Sequence, residues 1–184
     1  MKTLTRTTMC LMTLALTGLS PITRAHPPGP ADSDPAVGVS FGGGTAGCGA
    51  DSDCGAPALG LEGHLGPKLG ASVALLGDVW FMGAMQGSTR ANQLVIAGAI
   101  QAWPVERLWL RIGAGLGHAT LERDALIPVE KSAAVPALLV GAGVEVYSDP
   151  GFALDLQLLY GQGFHRDEDL SLSTLQVGLG LNWY

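Results

Sequence analysis

The sequence has few charged residues and few long apolar runs. Asp, Glu, Lys and Arg make up 14% of its 184 residues, and 47% are hydrophobic. Typical soluble domains are about 25% charged. After an apolar run near the start, no stretch approaches the roughly 20 continuous apolar residues that a transmembrane helix needs. The composition is therefore unusual for a water-soluble protein, and the sequence predicts no transmembrane helix.

Basic residues are scarce, which bears on the possible partners. Ten Lys and Arg stand against 16 Asp and Glu, for a formal net charge of −6. No basic patch is present, and DNA and RNA are bound through such patches. Nucleic acid is therefore excluded as a partner.

The first 25 residues predict a cleaved export signal. Lys2 and Arg6 precede a mostly apolar run over 9–19, and Thr23-Arg24-Ala25 fits a cleavage site. Cleavage after Ala25 would remove three of the ten basic residues, so that seven remain against the 16 acidic ones. Residues 26–35 are rich in Pro and Asp, which predicts a disordered lead-in, and 36–184 form the expected domain.

Cysteine is also rare. Of the three cysteines, only Cys48 and Cys54 follow the signal. In an oxidising compartment they are expected to form a disulfide that closes a small loop. A metal site is less favoured, because Asp51 and Asp53 alone do not complete a ligand set. The sequence predicts no metal and no cofactor.

The rest of the chain alternates apolar residues with polar or very small ones. A period of two is typical of strands with two different faces. In the clearest internal segment, Leu110, Ile112 and Leu116 alternate with Arg111 and Gly113. Eight such strands are predicted, namely Ala36–Gly44, Leu59–Leu65, Ser72–Ala84, Gln93–Trp103, Leu108–Glu122, Ala137–Tyr147, Phe152–His165 and Leu175–Tyr184.

The connections alternate in length and composition. The longer, polar ones are Thr45–Ala58, Met85–Asn92, Arg123–Pro136 and Arg166–Ser171, and the short ones are Gly66–Ala71, Pro104–Arg107 and Ser148–Gly151. Long external loops alternating with short periplasmic turns are typical of bacterial outer-membrane barrels. The fold prediction is therefore all-β, an eight-stranded antiparallel up-and-down transmembrane β-barrel.

The positions of aromatic residues and glycines also agree with the predicted barrel. Six aromatic residues flank the short turns or the last strand, where an interfacial girdle is expected: Trp103, Trp109, Tyr147, Phe152, Trp183 and Tyr184. Trp103 and Trp109 have the parity of the polar face, so a bulge near Pro104 is needed to turn them outward. Glycines on the inner face suit a narrow lumen: Gly113, Gly115, Gly117, Gly141, Gly143, Gly178 and Gly180.

The pattern over 36–184 resembles that of small eight-stranded outer-membrane barrel proteins of the OmpA/OmpX type. The resemblance implies a location in the outer membrane, contact with its lipids, and insertion by the barrel-assembly machinery, which reads a last strand such as Leu175–Tyr184. In this chain Trp183 is in phase with the outward leucines, and Tyr184 is one step out of phase.

The inner face collects six ionisable residues: Glu62, His64, Asp78, Arg111, Glu145 and Asp155. One interpretation is a catalytic or proton-handling group, because His64 beside a carboxylate could perform acid–base chemistry. The favoured interpretation is a polar network that fills the lumen, with Arg111 paired to one or more of the four carboxylates. No catalytic residue is predicted.

The function expected from these features is structural, a surface interaction through loops that could bind an extracellular ligand, or limited, porin-like transport. Two alternatives remain open. A lipid-modifying enzyme could use His118, His165, Ser171 and Ser173, although no His-x-Ser spacing supports it. A soluble periplasmic barrel like a lipocalin would turn its apolar face inward around a ligand.

Overall fold

A computed structural model describes residues 35–48, 55–122, 130–131, 133–164 and 172–184. The predicted export signal, most of the lead-in, Cys54, His165 and Ser171 lie outside these residues. Within them, the strands are β1 (Pro35–Cys48), β2 (Ala56–Pro67), β3 (Val73–Gln86), β4 (Thr89–Val105), β5 (Leu108–Glu122), β6 (Glu130–Lys131), β7 (Val135–Asp149), β8 (Phe152–Gly163) and β9 (Leu172–Trp183).

Eight of these strands form a closed antiparallel barrel. Each pairs with its neighbour along the chain, and β1 also pairs with β9, which closes the ring. The two-residue β6 pairs with Thr120 and Leu121 near the end of β5 and is not part of the ring. The predicted eight-stranded up-and-down fold is confirmed. No helix among the described residues is long and apolar enough to span a bilayer.

The strand register sets the tilt of the strands. Residues directly opposite each other on neighbouring strands can be followed once around the barrel, from Ala153 through Asn182, Gly38, His64, Asp78, Ala97, Gly115 and Ala137 to Gly163. The path returns to β8 ten residues further along. With a rise of about 3.3 Å per residue and a strand spacing of about 4.7 Å, the tilt is about 40°. Side chains from distant sequence positions therefore meet at one level of the lumen.

The two faces of the barrel have the predicted polarity. Phe41, Ile112 and Val177 point outward and are each 59% exposed, whereas Trp80 and Trp109 point inward and are each 1% exposed. Polar residues on the inner face, such as Gln176, are also buried. An apolar outer surface around a polar interior is the arrangement that a bilayer requires of a barrel. It contradicts the lipocalin-like alternative, which needs the apolar face inside.

The predicted loop Met85–Asn92 is wrong, because a tight hairpin takes its place. β3 continues to Gln86, β4 starts at Thr89, and Gly87 has a φ of 62°. Gly followed by Ser is a short-hairpin signal, since glycine accepts a positive φ without strain. The first strand also begins one residue earlier than predicted, at Pro35 instead of Ala36.

The aromatic girdle is confirmed only in part. Tyr147, Phe152 and Trp183 form a contiguous group, with ring centroids 6.4 Å and 5.7 Å apart. Tyr147 and Trp183 are exposed on the outer face. The register does shift between Ala102 and Val105, but Trp109 remains fully buried in the lumen. The expectation that a bulge turns Trp103 and Trp109 outward is therefore wrong, and the parity of their strands decides their position.

Candidate functional site in the filled lumen

Arg111 lies at the centre of a buried ionic group. Its Nη1 is 2.6 Å from Glu62 Oε1 and 2.7 Å from Asp78 Oδ1, and all three side chains are inaccessible to water. Its Nε and Nη2 donate to Gln101 Oε1 at 2.9 Å and 2.6 Å. The guanidinium of Arg111 also lies 4.9 Å from the ring centroid of Trp109. One cation thus holds together side chains from β2, β3, β4 and β5.

His64 completes this group. Its Nδ1 is 2.7 Å from Glu62 Oε1. Arg111 Nη2 lies 3.1 Å from the same Nδ1 and 3.4 Å from His64 Nε2. Ser40 Oγ donates to the other oxygen of Glu62 at 2.8 Å. Glu62 therefore has both oxygens satisfied, which a buried carboxylate requires.

Glu62, His64 and Asp78 have the composition of a metal-ligand group. One ligand atom from each lies within 4.8 Å of the others. However, Arg111 Nη1 contacts both carboxylates, so the guanidinium already supplies the positive charge that a metal ion would bring. The arrangement is that of an internal ion-pair network rather than a metal centre.

Trp109 connects this group to Asp155. Its Nε1 donates to Asp155 Oδ2 at 2.7 Å, and Asn182 Nδ2 donates to the same oxygen at 2.8 Å. The Trp109 ring lies against the backbone of Gly143, its direct partner on β7. Any side chain at position 143 would overlap this ring, so the glycine makes room for the tryptophan.

A second group closes the end of the barrel that holds the short turns. Trp103 Nε1 and the Tyr184 hydroxyl donate to Glu145 Oε1 at 3.1 Å and 3.3 Å. The Trp103 and Tyr184 rings meet edge to face at 5.6 Å, and Lys68 Nζ lies 5.5 Å from the Tyr184 ring centroid. The pKa of Tyr184 is raised mainly by burial and further by the negative charges of Glu145 and Asp155. The phenol therefore stays protonated and acts as a donor.

Trp80 closes the other half of the lumen. It lies on β3, and its ring reaches Gly161 on β8, on the opposite side of the barrel. Its Nε1 donates to Gln176 Oε1 at 2.6 Å. Buried apolar side chains packed in the same cluster include Met82, Leu139 and Leu159. Thr174 on β9 donates to Gln93 on β4 at 2.8 Å, which is another link between opposite walls.

The six predicted lumenal residues thus lie in three separate parts of the lumen. Glu62, His64, Asp78 and Arg111 are in direct contact, Asp155 joins them through Trp109, and Glu145 belongs to the group at the short turns. Their uncharged partners were not predicted from the sequence, and these are Ser40, Gln101, Trp103, Trp109, Asn182 and Tyr184. Trp80, Gln157 and Gln176 are further buried residues of the lumen that were not predicted to belong to the site. The alternation of the strands places most of these residues on the inner face, and this could have indicated them.

The structure gives little support to the lipid-modifying alternative. His118 lies on β5 and Ser173 on β9, and β7 and β8 separate these strands in the barrel. The other two candidates, His165 and Ser171, lie outside the described residues. The two candidates that can be placed are therefore not on neighbouring strands.

Comparison with known proteins shows a likeness of fold. No protein-family model matches the sequence, and no curated protein matches it. Neisserial surface protein A has a TM-score of 0.65 and 16% identity, over 81% of this chain and 96% of that one. Ail of Yersinia pestis has a TM-score of 0.53 and 15% identity, over 83% and 100%.

A third similar structure is the N-terminal β-barrel domain of Pseudomonas aeruginosa OprF. Its TM-score is 0.51, with 16% identity over 82% of this chain and 98% of that domain. The closed ring, the outward apolar face and these three likenesses agree with one another. The chain has the fold of the small eight-stranded outer-membrane β-barrels.

Proposed function

We propose that this chain is a closed, non-enzymatic barrel of the bacterial outer membrane, with a structural or surface-interaction role. The observation that carries the proposal is the filled lumen. The Arg111 group joins four strands, Trp80 reaches the opposite wall, and Glu145, Trp103 and Tyr184 cover the end with the short turns. Eight strands leave little space beyond such side chains, so we do not propose porin-like transport.

Reconstituted barrels should therefore show no sustained ion conductance in planar bilayers. The gel migration of unheated and boiled samples provides the control that the barrel is folded and inserted, because a closed barrel migrates differently until it is boiled. Folded preparations that show frequent, stable channels would contradict the closed lumen. Recovery of the protein in a periplasmic wash without detergent would contradict the location.

We propose that any partner is bound by the external loops. The structure of Ail in complex with the heparin analogue sucrose octasulfate also has this fold, with a TM-score of 0.51 and 17% identity. That ligand is a polyanion, whereas this chain has 16 acidic and ten basic residues. Repulsion between like charges disfavours a polyanion here. Outer-membrane lipids and the barrel-assembly machinery remain the other proposed partners.

We also propose that the signal is cleaved after Ala25 and that Cys48 and Cys54 form a disulfide in the exported protein. Cys48 is the last residue of β1, so the bond would begin at the rim of the barrel. Protein purified from membranes without reductant should gain the mass of two alkyl groups only after reduction. Alkylation of both cysteines without reduction would contradict the disulfide.

A further inference from the structure

Buried side-chain atoms without a hydrogen-bond partner are concentrated at one place in the lumen. Among the described residues, four buried side-chain atoms have no hydrogen-bond partner, namely Asp78 Oδ2, Asp155 Oδ1, Gln157 Nε2 and Gln176 Nε2. Three of the four belong to the adjacent strands β8 and β9, and their residues are at most 4% exposed. Buried polar groups nearly always have a partner, so this cluster points to a molecule bound there.

The three groups surround two glycines of β9. Gln157 and Asp155 are the direct cross-strand partners of Gly178 and Gly180. A Cβ built at Gly178 would lie 3.2 Å from Gln176 Nε2, and one built at Gly180 would overlap Asp155 Oδ1. Residues two apart on one strand face are separated by about 7 Å. The unpartnered atoms of Gln176 and Asp155 thus lie over neighbouring glycines on the inner face of β9, and Gln157 is paired with the first of these glycines. The place between the three side chains is called the niche below.

Two tryptophans fix the orientation of the groups around this niche. The bond from Trp80 Nε1 holds Gln176 Oε1, so the Nε2 of Gln176 is the atom left free. The bond from Trp109 Nε1 holds Asp155 Oδ2, so its Oδ1 is left free. The unmet capacity follows from these two bonds and is not removed by rotating the amide of Gln176.

The chemistry of the niche selects its occupant. The amide N–H groups of Gln157 and Gln176 require a molecule that accepts hydrogen bonds, and Asp155 Oδ1 requires one that donates a hydrogen bond. A bare cation is disfavoured by the amide donors, and an anion by Asp155. We propose that the niche between Asp155, Gln157 and Gln176 is a binding site for small neutral hydrogen-bonding molecules, held in the lumen as one or more long-lived waters.

Water contacts measured by NMR test this proposal in the full chain, refolded in lipid nanodiscs. The side-chain amides of Gln157 and Gln176 should show direct cross-relaxation with water. The sign of this cross-relaxation should be the one that waters with residence times longer than a nanosecond produce. If both amides are assigned and neither shows such a contact, the proposal is overturned. This measurement on the unmodified protein decides the question even if a variant fails to fold.

The variant Gln157→Leu removes one donor while keeping a side chain of similar size. Its Gln176 amide should lose most of its contact with water, because the shared occupant loses a partner. The matched control is Gln162→Leu on the outer face of the same strand, where Gln162 accepts from the Tyr160 hydroxyl. An unchanged Gln176 contact in Gln157→Leu, or an equal loss in the control, would contradict a shared site.

Discussion

Replacing Arg111 by alanine is expected to lower the free energy of unfolding of the barrel by about 3–5 kcal/mol. Arg111 contacts Glu62 and Asp78, and none of the three side chains is accessible to water. Without the guanidinium, Glu62 and Asp78 remain buried without its positive charge beside them, and the Gln101 side-chain oxygen loses both of its donors. Urea titration in phospholipid vesicles, followed by circular dichroism, measures the change.

The control for this variant is Arg90→Ala. Arg90 is exposed on β4 and lies opposite Glu122 on β5. An exposed pair contributes little to stability, so this variant should unfold at nearly the concentration of urea that unfolds the unmodified protein. Similar losses of unfolding free energy in Arg90→Ala and Arg111→Ala would mean that burial in the lumen does not make Arg111 more important for stability than an exposed arginine.

A combined variant separates charge from packing. Glu62→Gln, Asp78→Asn and Arg111→Met together remove the charges while keeping similar volumes. Replacing all members of a buried ionic group is often nearly neutral, whereas removing one member is costly. The combined variant should therefore be more stable than Arg111→Ala. If it is equally unstable, the loss in Arg111→Ala comes from shape rather than from unpaired carboxylates.

The barrel and its two faces could be predicted from the sequence because both depend on local alternation. The period of two puts Ile112 outside and Arg111 inside whatever the rest of the chain does. The bounds of β5, Leu108–Glu122, agree with the prediction for the same reason. The sequence prediction placed a loop at Gly87 despite the hairpin signal of Gly followed by Ser, because polar residues continue the strands on both sides of the turn and hide where the strands end.

The contents of the lumen depend on register, which alternation does not specify. The Trp80 ring lies beside Gly161, and Thr174 donates to Gln93, although each pair is more than 80 residues apart. Trp109 shows the consequence. Its parity placed it inside, but its acceptor, Asp155, becomes apparent only once the tilt of the strands is known. Trp103 and Trp109 flank a short turn, which is why the sequence predicts them at the lipid interface.

Replacing Trp80 by alanine should lower the free energy of unfolding by about 3–5 kcal/mol, because it removes a fully buried aromatic side chain from the lumen. The ring is 1% exposed, reaches Gly161 on the opposite wall and donates to Gln176. Its loss leaves both a cavity and an amide oxygen without its donor. Circular dichroism in urea is the suitable measurement, since it does not depend on tryptophan fluorescence.

The glycine opposite this ring provides a sharper test. Gly161→Ala alone should destabilise the barrel by about 1–3 kcal/mol, because the new methyl group overlaps the Trp80 ring and the packed lumen resists the shift. In the Trp80→Ala background the same methyl group enters empty space, so its cost should disappear. The double-mutant cycle then gives a coupling of about 1 kcal/mol or more between residues on opposite walls.

Gly63→Ala is the control for this cycle. Gly63 lies on β2, and a Cβ there would meet only the Gly38 carbonyl oxygen, at 3.8 Å. Its effect should be the same with and without Trp80. If Gly161→Ala also costs the same in both backgrounds, then the Trp80 ring does not reach the opposite wall. In that case side chains do not fill the lumen at this level, and the structural basis for a non-conducting lumen is lost.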